Sequence, residues 1–407
     1  MSAFKDIWNS CKQVMLNIWE VASNTIVEVF HDHGVMSIFF IAGLVYPFLY
    51  EGLCWENTLK EVPIAVVDLS GSQQSKRFLR KVDASHDVKI EYRCTSMTEA
   101  EQLLQDQKVH GIMYFPRDYA DNLEGVKGQA HVSVYCDMST FLYMKNILLS
   151  SSLVMLDEMH LVQRQRMSAL GVGDEMINEF IQGSQYEETK LYNPIDGYAS
   201  FLIPPVLVLI ILQTLFLGLC MLMGTLREEK RLYKVSNNKW SNSIQVNLGM
   251  ALGFFIIYIG LSCIDLILVP RIFGNIPHIG DVKNLIMFIV PMLLSTIFFS
   301  LFIAGFLKNR ETGMVVLLPT SLIFLFIAGV SWPQVCIPEA WRHLSYFFPT
   351  TWSLHGYLHL NSMGATMSQI AKEFNALWIL TAFYFVLAVI QMVVIFRKDP
   401  KSLASNN

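Results

Sequence analysis

About six apolar runs, each close to the roughly 20 residues a helix needs to cross the hydrocarbon core of a bilayer, constrain this chain before anything else does. They fall near 34–54, 198–224, 246–270, 284–307, 313–331 and 375–396. Composition points the same way: 53% of residues are hydrophobic and 16% charged, against about 25% charged in soluble domains. The pattern predicts an α-helical polytopic membrane protein. No cleavage pattern of small residues follows the first run at "GLVYPFLYEGLCWEN", and a long segment precedes it, so it reads as an uncleaved anchor. A net charge of -4 with no block of basic residues predicts no nucleic-acid surface.

Lys and Arg in the short loops set the expected orientation. With the N-terminus in the cytoplasm, Arg227, Lys230, Arg231, Lys234 and Lys239 lie inside, as do Lys308, Arg310, Arg397, Lys398 and Lys401. The opposite short loops hold Arg271, Lys283, Arg342 and Lys372. The bias predicts that both termini are cytoplasmic and that residues 56–195 lie outside the cytoplasm.

Within that outer region the period changes. "VPIAVVDLS" has the pattern of a buried strand, residues 73–82 that of a helix, and "DVKIEYR" alternates as a strand. "SMTEAEQLLQDQ" suits a capped helix, and "VHGIMYFP" and "HVSVYCD" are further strands. The order predicts a small α/β or α+β domain followed by a long helical stretch over 139–182, with Leu142, Leu149, Leu153 and Leu156 as apolar positions.

This arrangement resembles the permease subunit of a bacterial ABC-2 type exporter, in the subfamily with a large extracytoplasmic domain after the first helix. The matching residues are the strand ending at Asp68, "TEAEQLLQDQKVHGIMYFPRDYADNL" with Gly111 and Pro116, "VSVYCDMST" with Asp137, "YNP" at Tyr192 to Pro194, and the late segment with Gly329, Pro333, Pro338 and "FFPTTW". The resemblance implies a multi-pass protein of the bacterial inner membrane. Its expected parts are a cytoplasmic interfacial helix (1–33), a first transmembrane helix (34–55), the outer domain (56–195), a five-helix transmembrane domain (196–397) and a cytoplasmic tail (398–407). It further implies a separate ABC ATPase subunit, a second permease copy or sister permease, an amphipathic or lipid-like substrate or drug, and scope for a periplasmic adaptor and an outer-membrane channel. The competing reading is a membrane receptor or secretion scaffold of phage-infection-protein-like topology, without an ATPase.

Candidate functional residues fall into three groups. The turn "GTLREEKRLYKVSNNKW", within the loop 224–245, resembles the family's coupling helix through Arg227, Glu228, Glu229, Lys230 and Arg231, although "RLYKVSN" departs from the family pattern. The segment 332–374 is expected to be re-entrant on the outer side, with Trp332, Pro333, Pro338, Trp341, Phe348 and Pro349 building a lid, because Pro stops helices and Trp favours the interface. Gln213, Asp265 and Gln391 are polar within spans. Of these, Asp265 is the clearest, facing either protein or, from near the end of its span, the interface.

Phe4, Ile7, Trp8, Cys11, Met15, Ile18 and Trp19 form one apolar stripe, as in a helix lying in the bilayer interface. His355 and His359 share a helical face but lack the Glu of a zinc-protease motif, and "HDH" at 31–33 reads as a polar collar. Cys94 and Cys136 end two predicted strands and could pair in an oxidising compartment. No phosphate-binding loop of the "GxxxxGK[ST]" kind occurs, so neither ATP hydrolysis nor a cofactor is expected on this chain.

Overall fold

A computed structural model describes residues 2–398, apart from 126–128, 183–188, 195 and 275–277. Side chains at 2–7, 40, 182, 314, 316–319, 321, 322 and 398 are also outside the description, which leaves out Phe4, Ile7 and the tail from 399. The elements run α1 (Ser2–His31), α2 (His33–Leu53), β1 (Val62–Asp68), α3 (Gln73–Asp83), β2 (Val88–Cys94), α4 (Met97–Gln105), β3 (Gly111–Phe115), α5 (Tyr119–Glu124) and β4 (Ser133–Cys136). There follow α6 (Phe141–Ala169), α7 (Asp174–Gln182), α8 (Tyr198–Glu228), α9 (Lys239–Phe273), α10 (Val282–Ala304), α11 (Arg310–Ile327), α12 (Glu339–Ser345), α13 (Pro349–Asn361) and α14 (Ala371–Lys398). The chain divides into two compact units, one of Met1–Asn57 with Lys190–Asn407 and one of Thr58–Thr189.

The smaller unit is an α/β layer whose sheet has the order β2-β1-β3-β4, with β1 parallel to β2 and β3, and β4 antiparallel to β3. Because β2 and β3 flank β1 on opposite sides, crossovers of one hand must carry α3 and α4 to opposite faces. The side chains obey this. Val62, Ile64 and Val66 of β1 pack with Phe78, Leu79 and Val82 of α3, while Ala65 and Val67 pack with Ala100 of α4. A central strand covered on both faces explains the continuous apolar run of "VPIAVV".

Local signals fix the helix starts. Ser72 Oγ accepts from Ser75 N at 3.1 Å, and Asp68 closes the preceding turn by accepting from Ser70 N and Gly71 N. Ser96 Oγ accepts from Glu99 N while Glu99 reaches back to Thr95 N at 3.0 Å, a variant of the capping box. The long stretch after β4 is two helices, α6 and α7, separated by a turn with Gly171 at φ 76. Its core contacts also differ from expectation. Leu149, Leu153 and Leu156 are exposed, and the face turned inward carries Ile147, Ser150, Ser151 and Glu158. Glu158 is tolerated there because Arg77 and Lys81 of α3 pair with it at 2.5 and 2.9 Å.

Cys94 and Cys136 sit on the two edge strands, with β1 and β3 between them. Strand spacing puts the edges roughly 14 Å apart, beyond the reach of about 7 Å for a disulfide. Both thiols are free.

In the larger unit, five helices among the described residues are long and apolar enough to cross a membrane: α2, α8, α9, α10 and α14. The expected run 313–331 is helical as α11, which stops short of Gly329 at φ 81. Burial ranks them. The most apolar window of α8 is 78% buried and that of α2 18%, so α8 is the hub and α2 lies at the rim. Hydrophobic on all sides, α8 packs on α10 and α11, and α10 packs on α14. Helix α1 lies along α9, where a Cβ on Gly249 would come within 2.5 Å of Val21 and one on Gly253 within 3.0 Å of the Ala22 carbonyl. The "GMALG" spacing therefore permits a close backbone crossing.

Candidate functional site

The turn after α8 is built by a helix stop. Lys230 takes φ 56, Lys230 N bonds to Arg227 O at 3.2 Å, and Arg231 N bonds to Leu226 O at 2.8 Å, the paired bonds of a Schellman cap. The cap divides the charged run by role. Arg227 turns inward and donates to Gly305 O at 2.8 Å and to Leu307 O, tying α8 to the carbonyl end of α10. Arg231 pairs with Glu229 at 2.9 Å and with Glu28 of α1. Glu228 and Lys230 stay exposed.

The residues after the cap, which depart from the family pattern, are pinned to neighbouring helices. Asn242 Oδ1 accepts from Val235 N and Ser236 N at 2.8 and 3.1 Å. From α1, Asn17 Nδ2 donates to Val235 O at 3.2 Å and Gln245 Oε1 at 2.8 Å. Beside the cap, a Cβ on Gly224 would meet the Arg310 backbone at 2.9 Å, and Arg310 forms a two-pronged pair with Asp32. Six helices, α1, α2, α8, α9, α10 and α11, thus converge on one end of the unit.

Sequence reading missed Asn17, Glu28 and Asp32. Asp32 is more than part of a polar collar with its histidine neighbours: it caps α2 by accepting from Gly34 N and Val35 N at 2.9 and 3.1 Å. An Asp followed by an apolar helix is an N-cap signal that could have found it.

The segment after α11 also separates into two sets. Phe348 lies against Phe324 and Phe299, with ring centroids 5.0 and 6.0 Å away, and Pro349 is buried at the start of α13. Trp352 Nε1 donates to Tyr346 O at 2.9 Å, and Tyr384 OH donates to Phe347 O at 2.8 Å. Pro333 and Pro338 stand immediately before the short helices Gln334–Cys336 and Glu339–Ser345. Trp332 and Trp341 are 57% and 54% exposed, so they belong to the surface. His355 holds Ala328 O at 2.7 Å and His359 approaches Glu373 at 3.5 Å.

Of the polar residues within spans, Gln213 is partly buried and Gln391 packs where a Cβ on Gly305 would touch it. Asp265 is 0% exposed, inside a π-helical turn, Ile264–Leu268, so it faces protein. A second buried acid, Glu51 of α2, was missed. It stands at the end of an apolar run, where the criterion applied to Asp265 would have found it.

A bundle of apolar helices with a sequence-remote, charge-locked end and an inserted α/β unit defines a polytopic α-helical membrane protein. The family model for ABC-2 family transporter proteins matches residues 35–390, and the chain belongs to that family. It is accordingly a permease component of an ABC transporter, whose family implies an ATPase partner. No characterised protein with a curated description matches the chain.

Proposed function

We propose that the chain is the membrane-spanning half of an ATP-driven exporter, paired with a second copy or a sister permease and driven by a separate ATPase docked on the turn after α8. The observation that carries this is the construction of that turn: exposed Glu228 and Lys230 stand on a base tied to α1, α2, α10 and α11 through Arg231, Arg310 and Arg227. A push on the exposed residues is passed to the bundle because those ties leave little slack. ATP binding and hydrolysis would then bias two arrangements of the permease pair, since a ligand shifts an equilibrium only by its differential contacts with the two states.

The same reading places both termini in the cytoplasm, the unit 58–189 on the outer side of the bacterial inner membrane, and the exposed Trp8, Met15 and Trp19 of α1 in the bilayer interface. The segment from Trp332 to Phe348 would close the outer end of the path. Apolar walls and interfacial rings favour an amphipathic or lipid-like substrate, and the outer unit is available to a periplasmic adaptor leading to an outer-membrane channel.

Reversing Glu228 and Glu229 to Lys should weaken ATPase association in a pull-down while the permease still inserts and folds. Wild-type recovery of the ATPase with normal transport would remove this turn as the coupling element. Absence of any co-purifying ATPase from the wild-type protein would favour the receptor or scaffold reading.

A further inference from the structure

The smaller unit holds a cleft of about 450 Å³ between α3, α5 and α6, within the roughly 300–1,000 Å³ typical of small-molecule sites. Its walls carry three arginines, Arg77, Arg80 and Arg166, against one acid, Glu124. Like charges gathered around one cleft repel each other and focus a positive potential into it.

The three guanidinium groups differ in what already holds them. Arg77 is committed to Glu158, with Nε 3.1 Å from both carboxylate oxygens and Nη2 2.5 Å from Oε2, and Lys81 shares that carboxylate. Arg166 Nη2 donates to Leu123 O at 2.7 Å and to Gly125 O at 2.9 Å, carbonyls at the end of α5. Those bonds orient the fork and leave its charge uncancelled. Arg80 Nε donates to Lys76 O, one turn back on its own helix, at 3.3 Å. Among the described residues neither Arg80 nor Arg166 has a carboxylate partner.

The rest of the lining is suited to hydroxyl groups. Gln73, Gln74 and Gln165 each bring an amide that both donates and accepts. Gln74 Nε2 donates to Glu124 Oε1 at 2.5 Å, which holds that carboxylate in place and leaves Oε2 to accept.

Two uncancelled forks discriminate between anions. A carboxylate presents two oxygens in one plane and is filled by one fork, whereas a phosphate monoester presents three oxygens and about two negative charges, and takes two. The cleft is much larger than a phosphate alone, and its amides and Glu124 are available to hydroxyls beyond it.

We propose that the cleft walled by Arg77, Arg80 and Arg166 binds a phosphorylated sugar or cyclitol, with the phosphoryl group on Arg80 and Arg166 and the ring hydroxyls on the glutamines and Glu124. Such a site lies wholly within the unit Thr58–Thr189, so it stands apart from the coupling turn and from the orientation of the chain in the membrane.

The test uses the purified full-length chain in zwitterionic nanodiscs and equilibrium binding of myo-inositol 1-phosphate, with myo-inositol and polyglutamate as comparisons. The wild-type protein binds the inositol phosphate saturably, and neither comparison competes. Arg80→Gln, at an exposed residue held by a single backbone bond, loses at least about tenfold in affinity with an unchanged melting temperature. Adding Arg166→Gln removes the remaining binding; where that double variant does not fold, Arg80→Gln decides alone. Lys76→Gln, on the same helix but outside the cleft, leaves affinity unchanged. No saturable binding by the wild type, undiminished affinity in Arg80→Gln, or an equal loss in Lys76→Gln overturns the proposal. Preference for polyglutamate over inositol phosphate overturns it too, and assigns the cleft to an acidic protein segment. Nanodiscs doped with phosphatidylinositol 4-phosphate identify the source: weakened binding of the soluble probe marks a lipid headgroup that reaches the cleft, unchanged binding marks a free sugar phosphate, and both results support the phosphoryl assignment.

Discussion

Asp32 and Arg310, 278 residues apart in the chain, meet through two hydrogen bonds, Nη2 to Oδ1 at 2.6 Å and Nη1 to Oδ2 at 2.7 Å. The same Asp32 Oδ1 caps α2 by accepting from Gly34 N and Val35 N. One carboxylate therefore fixes both the start of the first span and the start of α11. Burial pushes the Asp32 carboxyl up, but the Arg310 hydrogen bonds and charge, with the two amide donors, outweigh it and hold it below its ordinary value.

Arg310→Lys should fail to rescue this junction, because an ammonium keeps the charge and loses the planar fork. Asp32→Asn and Arg310→Gln should each cost about 2 kcal/mol, with a double-mutant cycle showing coupling above about 1 kcal/mol. Thermal melts in detergent read both. The sign in pH follows from the lowered carboxyl. The stabilisation is fully present above the unfolded carboxylate value of about 4 and is lost as pH falls through the folded value. Additive single variants would show that the pair contributes nothing beyond two independent contacts.

Phe348 and Trp341, two residues of the expected lid, should separate. Phe348→Ala removes a ring packed on Phe299 and Phe324, and should lower stability by about 1–3 kcal/mol. Trp341→Ala, at a residue 54% exposed, should leave the melting temperature nearly unchanged, so any fall in export belongs to the path itself. Transport and ATPase turnover both untouched in Trp341→Ala would make that part of the segment a passive surface.

Glu158 gives the smaller unit an acid limit. Burial raises its carboxyl, yet hydrogen bonds and charge from Arg77 and Lys81 bring the net value below the usual range. The stability it contributes is present above about pH 4.3 and disappears as pH drops through the lowered value. No tryptophan lies between residues 58 and 189, so hydrogen exchange of α3 and α6 amides is the suitable readout. Glu158→Gln should speed that exchange at pH 7 and flatten its acid dependence; unchanged protection would show the two cations to be peripheral.

Orientation is open to labelling of intact cells in a background without native cysteines. Probes at exposed Gln129 and Asn238 should react from outside at the first position and not at the second. Reaction at Asn238 would invert the topology and end the exporter reading.

Elements with a strong one-dimensional signal were legible from sequence. Apolar runs of membrane length can be satisfied only as helices, because unpaired backbone groups are too costly in hydrocarbon. A strand buried on both faces has to read as "VPIAVV", and Ser96 with Glu99 caps its helix through neighbours three residues apart. Partners far along the chain left no comparable mark. Within "REEKR" the charges look alike in sequence, yet Arg227 binds the end of α10, Arg231 binds Glu229 and α1, and Glu228 and Lys230 stay exposed.

The sequence by itself determined the helix periods, the local caps and the presence of a βαβ unit, since each depends on residues within a turn or two of one another. Tertiary structure alone decided that Asp32 clamps Arg310, that Asp265 and Glu51 are buried with no hydrogen-bond partner among the described residues, that Cys94 and Cys136 lie on opposite sheet edges, and that Glu158 is an inward residue. The physical reason is that charge pairing and burial depend on which distant surfaces meet, and local periodicity constrains which face of a helix is apolar without saying what that face will touch.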